Sequence, residues 1–123
     1  MLFRSATLEV LRDEKLVERA ARLDGTLARG LAALASRHQV VGDVRSLGLY
    51  GVIELVKDRA TREPLEAPVK ALARAALERG IRLATRWNCV YVAPPLCIDE
   101  ADLANGLDVL NDLLGEMGTL PFV

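Results

Sequence analysis

The sequence predicts an α+β domain: a small, mostly antiparallel sheet with helices packed on one face, preceded by a long helix. Three patterns predict it. Leu16, Ala20, Leu23, Leu27, Leu31 and Leu34 recur at steps of three and four, which places them on one stripe of a helix. From Gln39 the chain changes to β-branched residues and glycines, the composition of strands and their bends. Leu103, Leu107, Leu110 and Leu114 then form a second helical stripe near the end of the chain.

Each element follows from local chemistry. Ala6 to His38 reads as helix, broken near Asp13 and Glu14, with Lys15, Glu18, Arg19, Arg22 and Arg29 on the polar side. Gly25 and Gly30 each weaken a helix by about 1 kcal/mol relative to alanine, which leaves room for a bend there. Val40, Val41 and Val44 lead into a long strand over Leu47–Val56. Tyr50, Val52, Glu54 and Val56 take one face; Leu49, Gly51, Ile53 and Leu55 take the other. Only Glu54 is strongly polar, so both faces should be largely covered. Gly48 and Gly51 suggest a bulge or a close backbone approach.

Lys57 to Pro64 reads as a polar loop. Pro68 opens a helix whose buried face is Val69, Leu72, Ala73, Ala76 and Leu77. Gly80 should end it in the left-handed region, with Ile81 making the accompanying apolar contact. Two short strands are expected, near Ile81–Ala84 and Cys89–Ala93, joined by a tight turn at Thr85-Arg86-Trp87-Asn88. Pro94 and Pro95 end the second, because proline supplies no ladder donor. Asp99 is placed to cap the last helix, and Asp102 complements its positive end. Gly118 and Pro121 lie past its end.

At 123 residues the chain suits one domain, and 51% hydrophobic with 27% charged residues is a globular balance. The net charge of −1 argues against nucleic acid or an anionic membrane as partner, because both require a basic face. No apolar run reaches the ~20 residues of a membrane span, and Met1–Ser5 is followed by no signal-peptide core. Cys89 and Cys97, with the single His38, make no metal set; buried, reduced thiols in a cytoplasmic protein are expected. His38 reads as a helix C-terminal cap. Glu63 and Glu66, and Asp99, Glu100 and Asp102, read as solvated loop and cap charges.

No nucleophile elbow, phosphate loop, dinucleotide fingerprint or zinc-protease motif is present. The three lysines, Lys15, Lys57 and Lys70, sit in polar neighbourhoods. An imine-forming lysine needs a desolvated or cation-crowded site, so none of them is a candidate.

Four segments in order carry a family resemblance: Ala6–Val10 with Leu16–Ala20; Val41-Gly42-Asp43-Val44-Arg45-Ser46-Leu47-Gly48-Leu49 running into Ile53-Glu54-Leu55-Val56-Lys57-Asp58; Arg86-Trp87-Asn88 before Val92-Ala93-Pro94-Pro95-Leu96; and Ile98–Leu103 with Gly106–Leu110. Together they resemble the carboxyl-terminal small domain of class III aminotransferases, which depend on pyridoxal phosphate. The Arg-Trp-Asn run is similar to the taurine–pyruvate and omega-aminotransferase subgroup. The resemblance implies that residues 1–38 are an interdomain helical segment and residues 39–123 the small domain.

It also implies that the lysine and cofactor site belong to a separate large domain, so that this chain is inactive alone and holds no cofactor or metal. The parent enzyme would move an amino group from an amine or amino acid to a 2-oxo acid, as a homodimer. Some members carry an arginine two positions before the Ala-Pro-Pro-Leu run, where this chain has Tyr91. Arg86 is then the best remaining cation for an acidic substrate group. Trp87 offers an apolar wall, Asn88 a hydrogen bond or the shape of the turn, and Tyr91 a neighbouring surface.

Met1–Ser5 departs from the family pattern. Leu-Phe-Arg-Ser is the translation of a common sequencing adapter, so these residues are expected to be non-native. The alternative reading is a stand-alone, non-catalytic α+β module that binds a ligand or a protein, or pairs with itself, through its uncovered apolar surface.

Overall fold

The computed structural model describes residues 2–117. Helix α1 (Leu2–Asp13) meets α2 (Leu16–Arg37) at Lys15, whose φ of 51° breaks the helical path. Strands β1 (Val41–Leu47) and β2 (Tyr50–Asp58) follow. Then come β3 (Glu63–Pro64), α3 (Val69–Glu78), β4 (Ala84–Arg86), β5 (Cys89–Val92) and α4 (Glu100–Gly115). Every strand pairing is antiparallel, in the order β1-β2-β5-β4, with β3 adding to β2. The α+β architecture with helices on one face is as the sequence predicts. The reading of Gly118 and Pro121, like that of Met1, falls outside the described residues.

The core lies between the sheet and α2, α3 and α4. Leu27, Leu31 and Leu34 of α2 join Ile53 and Leu55 of β2, Val90 of β5, Leu72 of α3 and Leu113 of α4, each almost wholly buried. Helix α2 runs unbroken through Gly25 and Gly30. At Gly30 an added Cβ would collide with Leu107 of α4, so this glycine lets the two helices approach.

Local capping matches expectation at three ends. The Asp99 carboxylate accepts the Asp102 N–H at 2.8 Å at the start of α4. The His38 N–H donates to the Leu34 carbonyl at the end of α2. Helix α3 closes with Gly80 at φ 83°, its N–H on the Leu77 carbonyl and the Ile81 N–H on the Ala76 carbonyl. That paired arrangement satisfies carbonyls the helix leaves open.

Several expectations are corrected. The single long strand is a hairpin, β1 and β2, turning at Gly48-Leu49 with Leu47 opposite Tyr50. Gly48 adopts φ 58°, the conformation that a two-residue hairpin loop requires at its first position. The bulge falls in β1, between Val41 and Asp43. The expected Ile81–Ala84 strand begins only at Ala84, because the Ile81 N–H is already used to close α3. The loop before α3 contains the short strand β3. Leu77 is 62% exposed, on the flank of α3 rather than on its core stripe. Neither thiol is fully buried: Cys89 is half-buried and Cys97 exposed, both free.

The second sheet face also departs from expectation. Gly51, Ile53 and Leu55 of β2 are buried beneath the helices, while Tyr50 is exposed and Val52 and Glu54 only half-buried. The outer face is therefore open to solvent along Tyr50–Glu54, while Val56 at its far end is buried.

Helix α2 seats on the sheet through Gly51, where a Cβ would stand 2.7 Å from Leu31 Cδ1. Leu31 is 1% exposed, within the core beneath the sheet. We expect Gly51→Val to destabilise the fold by about 1–3 kcal/mol through overpacking. Gly80→Ala should cost about 1–2 kcal/mol from the left-handed backbone alone, since nothing lies within 4 Å of its Cβ. Urea denaturation midpoints check both; a wild-type midpoint for Gly51→Val would contradict the close seat.

Candidate functional site

The outer sheet face and the β4–β5 hairpin at its edge carry the candidate chemistry. Side chains alternate between faces along a strand and align across paired residues. Arg86 pairs with Cys89, Cys89 with Glu54, and Glu54 with Asp43, so these four share the outer face. Arg45, Val52, Tyr91 and Ala84 form the neighbouring row.

Arg45 gathers the acidic groups of this face. Its guanidinium donates to the Asp43 carboxylate and to Glu54 Oε2 at 3.3 Å. The Glu54 hydrogen bond, then that of Asp43, pushes the Arg45 pKa upward. Both carboxylates are thus held by one cation. Burial raises the Cys89 pKa, the Glu54 charge raises it further, and Arg45 partly opposes this. Cys89 is a quiet thiol in this setting.

The hairpin turns at Trp87-Asn88, a shorter loop than the four residues expected. Trp87 occupies the left-handed region at φ 54° and is 67% exposed. Glycine is the residue that this position favours. The Arg86 guanidinium carbon lies 4.4 Å from the centre of the Trp87 ring, a cation–π contact.

Asn88 faces inward and is 9% exposed. Its Nδ2 donates to the Leu55 carbonyl at 2.8 Å, and the Leu55 N–H donates to the Asn88 carbonyl at 2.8 Å. The side-chain amide thereby extends the β2–β5 ladder beyond Glu54–Cys89. Tyr91 is half-buried, with its ring centre 6.2 Å from that of Tyr50.

The structure therefore places Arg86, Trp87 and Tyr91 on or beside the outer face, and commits Asn88 to the hairpin's anchorage. Sequence reasoning did not single out Asp43, Arg45, Glu54 and Cys89 as a cluster. The signal that would have found them is Gly48 read as a hairpin turn. A cleft of about 420 Å³ opens past the end of β5, lined by Ile81, Leu83, Tyr91, Pro94, Leu103 and Leu107 among others.

The family model for class III aminotransferases matches residues 1–114. The chain belongs to the class III aminotransferase family. It is 36% identical over 106 residues to the taurine–pyruvate aminotransferase of Bilophila wadsworthia, covering 80% of this chain and 23% of that protein. It is 39% identical over 109 residues to the isoleucine 2-epimerase of Lentilactobacillus buchneri, covering 87% and 24%.

Its fold matches taurine:2-oxoglutarate aminotransferase from Bifidobacterium kashiwanohense with a TM-score of 0.88 at 21% identity, over 95% of this chain and 28% of that one. That enzyme was solved with pyridoxal phosphate and glutamate. The chain thus spans about a quarter of the length of the relatives it matches.

The residues described do not fit that cofactor. Lys15, Lys57 and Lys70 are all exposed, and Lys57 is paired with Glu63. None has the desolvated or cation-crowded surroundings that make a lysine a neutral nucleophile. Among the described residues no cluster suits a metal ion, and no helix is long and apolar enough to cross a membrane.

Two measurements probe this site. Asn88→Ala should destabilise by about 1–1.5 kcal/mol, because it removes one of the two hydrogen bonds that the buried Leu55 carbonyl accepts, the other coming from the Leu65 N–H. Trp87→Gly should shift stability by less than about 1 kcal/mol, since relief of the left-handed backbone offsets the lost contacts. Equal losses in the two variants would overturn this division of roles. At pH 8, iodoacetamide should modify exposed Cys97 before Cys89, whose raised pKa keeps its thiolate scarce. Glu54→Gln should narrow the gap; peptide mass spectrometry over time reads both rates.

Proposed function

We propose that this chain is the carboxyl-terminal small domain of a pyridoxal-phosphate-dependent aminotransferase and forms one wall of the substrate pocket. Residues 1–38 act as the interdomain helical segment, with α2 also feeding the core, and residues 39–123 form the small domain. The lysine, the cofactor site and the remaining walls come from a large domain. The working enzyme is a cytoplasmic homodimer that moves an amino group from an amine or amino acid to a 2-oxo acid. In this reading the chain has no activity alone.

One observation carries the proposal: a family match over residues 1–114 takes in a hairpin that presents Arg86 and Trp87 at the outer sheet face. Arg86 supplies N–H donors for the substrate's acidic group, since a planar guanidinium can hold a carboxylate with two bonds. Trp87 and Tyr91 border that position and exclude water from it. Asn88 serves by holding the turn in place.

A second reading is favoured by the 39% identity to an epimerase. The same wall would then hold an amino acid while its α-carbon is inverted, with no net amino transfer. Accumulation of a 2-oxo acid product separates the two readings.

The test joins this sequence to the upstream part of a class III relative. Amino transfer to pyruvate is expected from the joined polypeptide. The 123-residue chain alone, mixed with pyridoxal phosphate, should yield no borohydride-stable adduct at a specific lysine. In the joined enzyme, Arg86→Ala should raise KM about tenfold or more for amino donors bearing a carboxylate, the value of one or two charge-assisted hydrogen bonds. Neutral amines should be little affected. Amino transfer by the chain alone would refute the proposal.

A further inference from the structure

Trp87 is an anomaly. It is the only tryptophan in the chain, and it stands where the turn favours glycine, in the left-handed region at φ 54°. It is also 67% exposed, so burial offsets little of that strain. A strained residue with little packing return points to a role beyond the fold. Its one distinctive contact is Arg86, whose guanidinium lies over the indole at 4.4 Å.

We propose that Trp87 is a positioning residue, whose indole face holds the Arg86 guanidinium so that its N–H edge stays open for a carboxylate or sulfonate terminus of the substrate. The inference rests on the reading of this hairpin as a substrate wall. Stacking occupies the face of the guanidinium and leaves its in-plane donors available. A long arginine held on a rigid ring loses less freedom when an anion binds, which strengthens binding without a new contact.

The charges around the pair favour this use. Among the described residues no carboxylate forms an ion pair with Arg86. The nearest acidic groups across the sheet, Glu54 and Asp43, are held by Arg45. Two strand spacings, about 9.5 Å, separate the Arg86 row from Glu54, roughly one screening length at physiological salt. Arg86 is thus paired with no carboxylate among the described residues, and the ring on its face carries no formal charge.

The test uses the whole chain and needs no cofactor. Side-chain Nε–H resonances of the arginines are followed by NMR during titration with glutarate, with ethanesulfonate, and with neutral glutaramide. Saturable shifts of Arg86 are expected with both anions and none with glutaramide; a response to one anion alone assigns that terminus. Trp87→Gly, which suits the turn and should leave the fold intact, should weaken Arg86 binding threefold or more. Trp87→Tyr, which restores an aromatic face, should return it to within twofold of wild type. An Arg86 that does not saturate, or that titrates identically in Trp87→Gly, overturns the proposal. Such a result combined with amino transfer by the joined polypeptide would leave the small-domain reading standing. An intact Arg86 response without amino transfer would fail that reading instead.

Discussion

The close seat of α2 on β2 is the contact on which the rest of the structure depends. Leu27 and Leu31 reach the strand because Gly51 presents no side chain, and Leu31 fills the space that a Cβ would need. Once α2 lies there, Ile53 and Leu55 on the same face of β2 must also face the helices. The alternation of the strand then turns Val52 and Glu54 outward. One steric fact at residue 51 thereby decides which side chains form the core and which form the outer surface.

The hairpin inherits its position from that strand. Strand β5 pairs with β2 from Gly51–Val92 to Glu54–Cys89. Where regular pairing stops, Asn88 continues it with its own amide on Leu55. Leu55 is fully buried, so the turn is tied to the least mobile part of the core. A polar side chain with nearly the lowest exposure in its segment thus holds in place an exposed tryptophan and an exposed arginine. Removing the anchor would loosen the hairpin without touching the face it presents.

Helices and their ends were legible in the sequence because their signals are local. Leucine spacing marks the buried stripes of α2 and α4, Asp99 marks a helix start, and Gly80 with Ile81 marks a stop. The break near Asp13 and Glu14 was equally clear. Strands were harder. Gly48 marks an interruption of regular strand, and whether it bulges one strand or turns between two is decided by its φ of 58° and the Leu47–Tyr50 pairing. Missing that turn hid β1 and, with it, the Asp43–Arg45–Glu54 cluster, whose members meet only through strand register. The hairpin residues Arg86, Trp87, Asn88 and Tyr91 stood out through a family resemblance. The strain at Trp87 and the inward direction of Asn88 depend on backbone angles that no residue pattern encodes.

The open face can exist in water and still accept a covering surface. Leu47, Tyr50, Val52 and Tyr91 form a short apolar strip on it, bordered by Arg45 and by the Asp43–Glu54 row. Covering charges is costly unless they are paired. Asp43, Arg45 and Glu54 already satisfy one another, so a polar protein surface can lie over them at modest cost. Arg86 differs, because its face is stacked on an uncharged ring and its charge is unanswered by any ion pair among the described residues. Any surface that closes over the hairpin must leave Arg86 an anion to pair with, and in the reading proposed above the acidic terminus of a substrate is that anion.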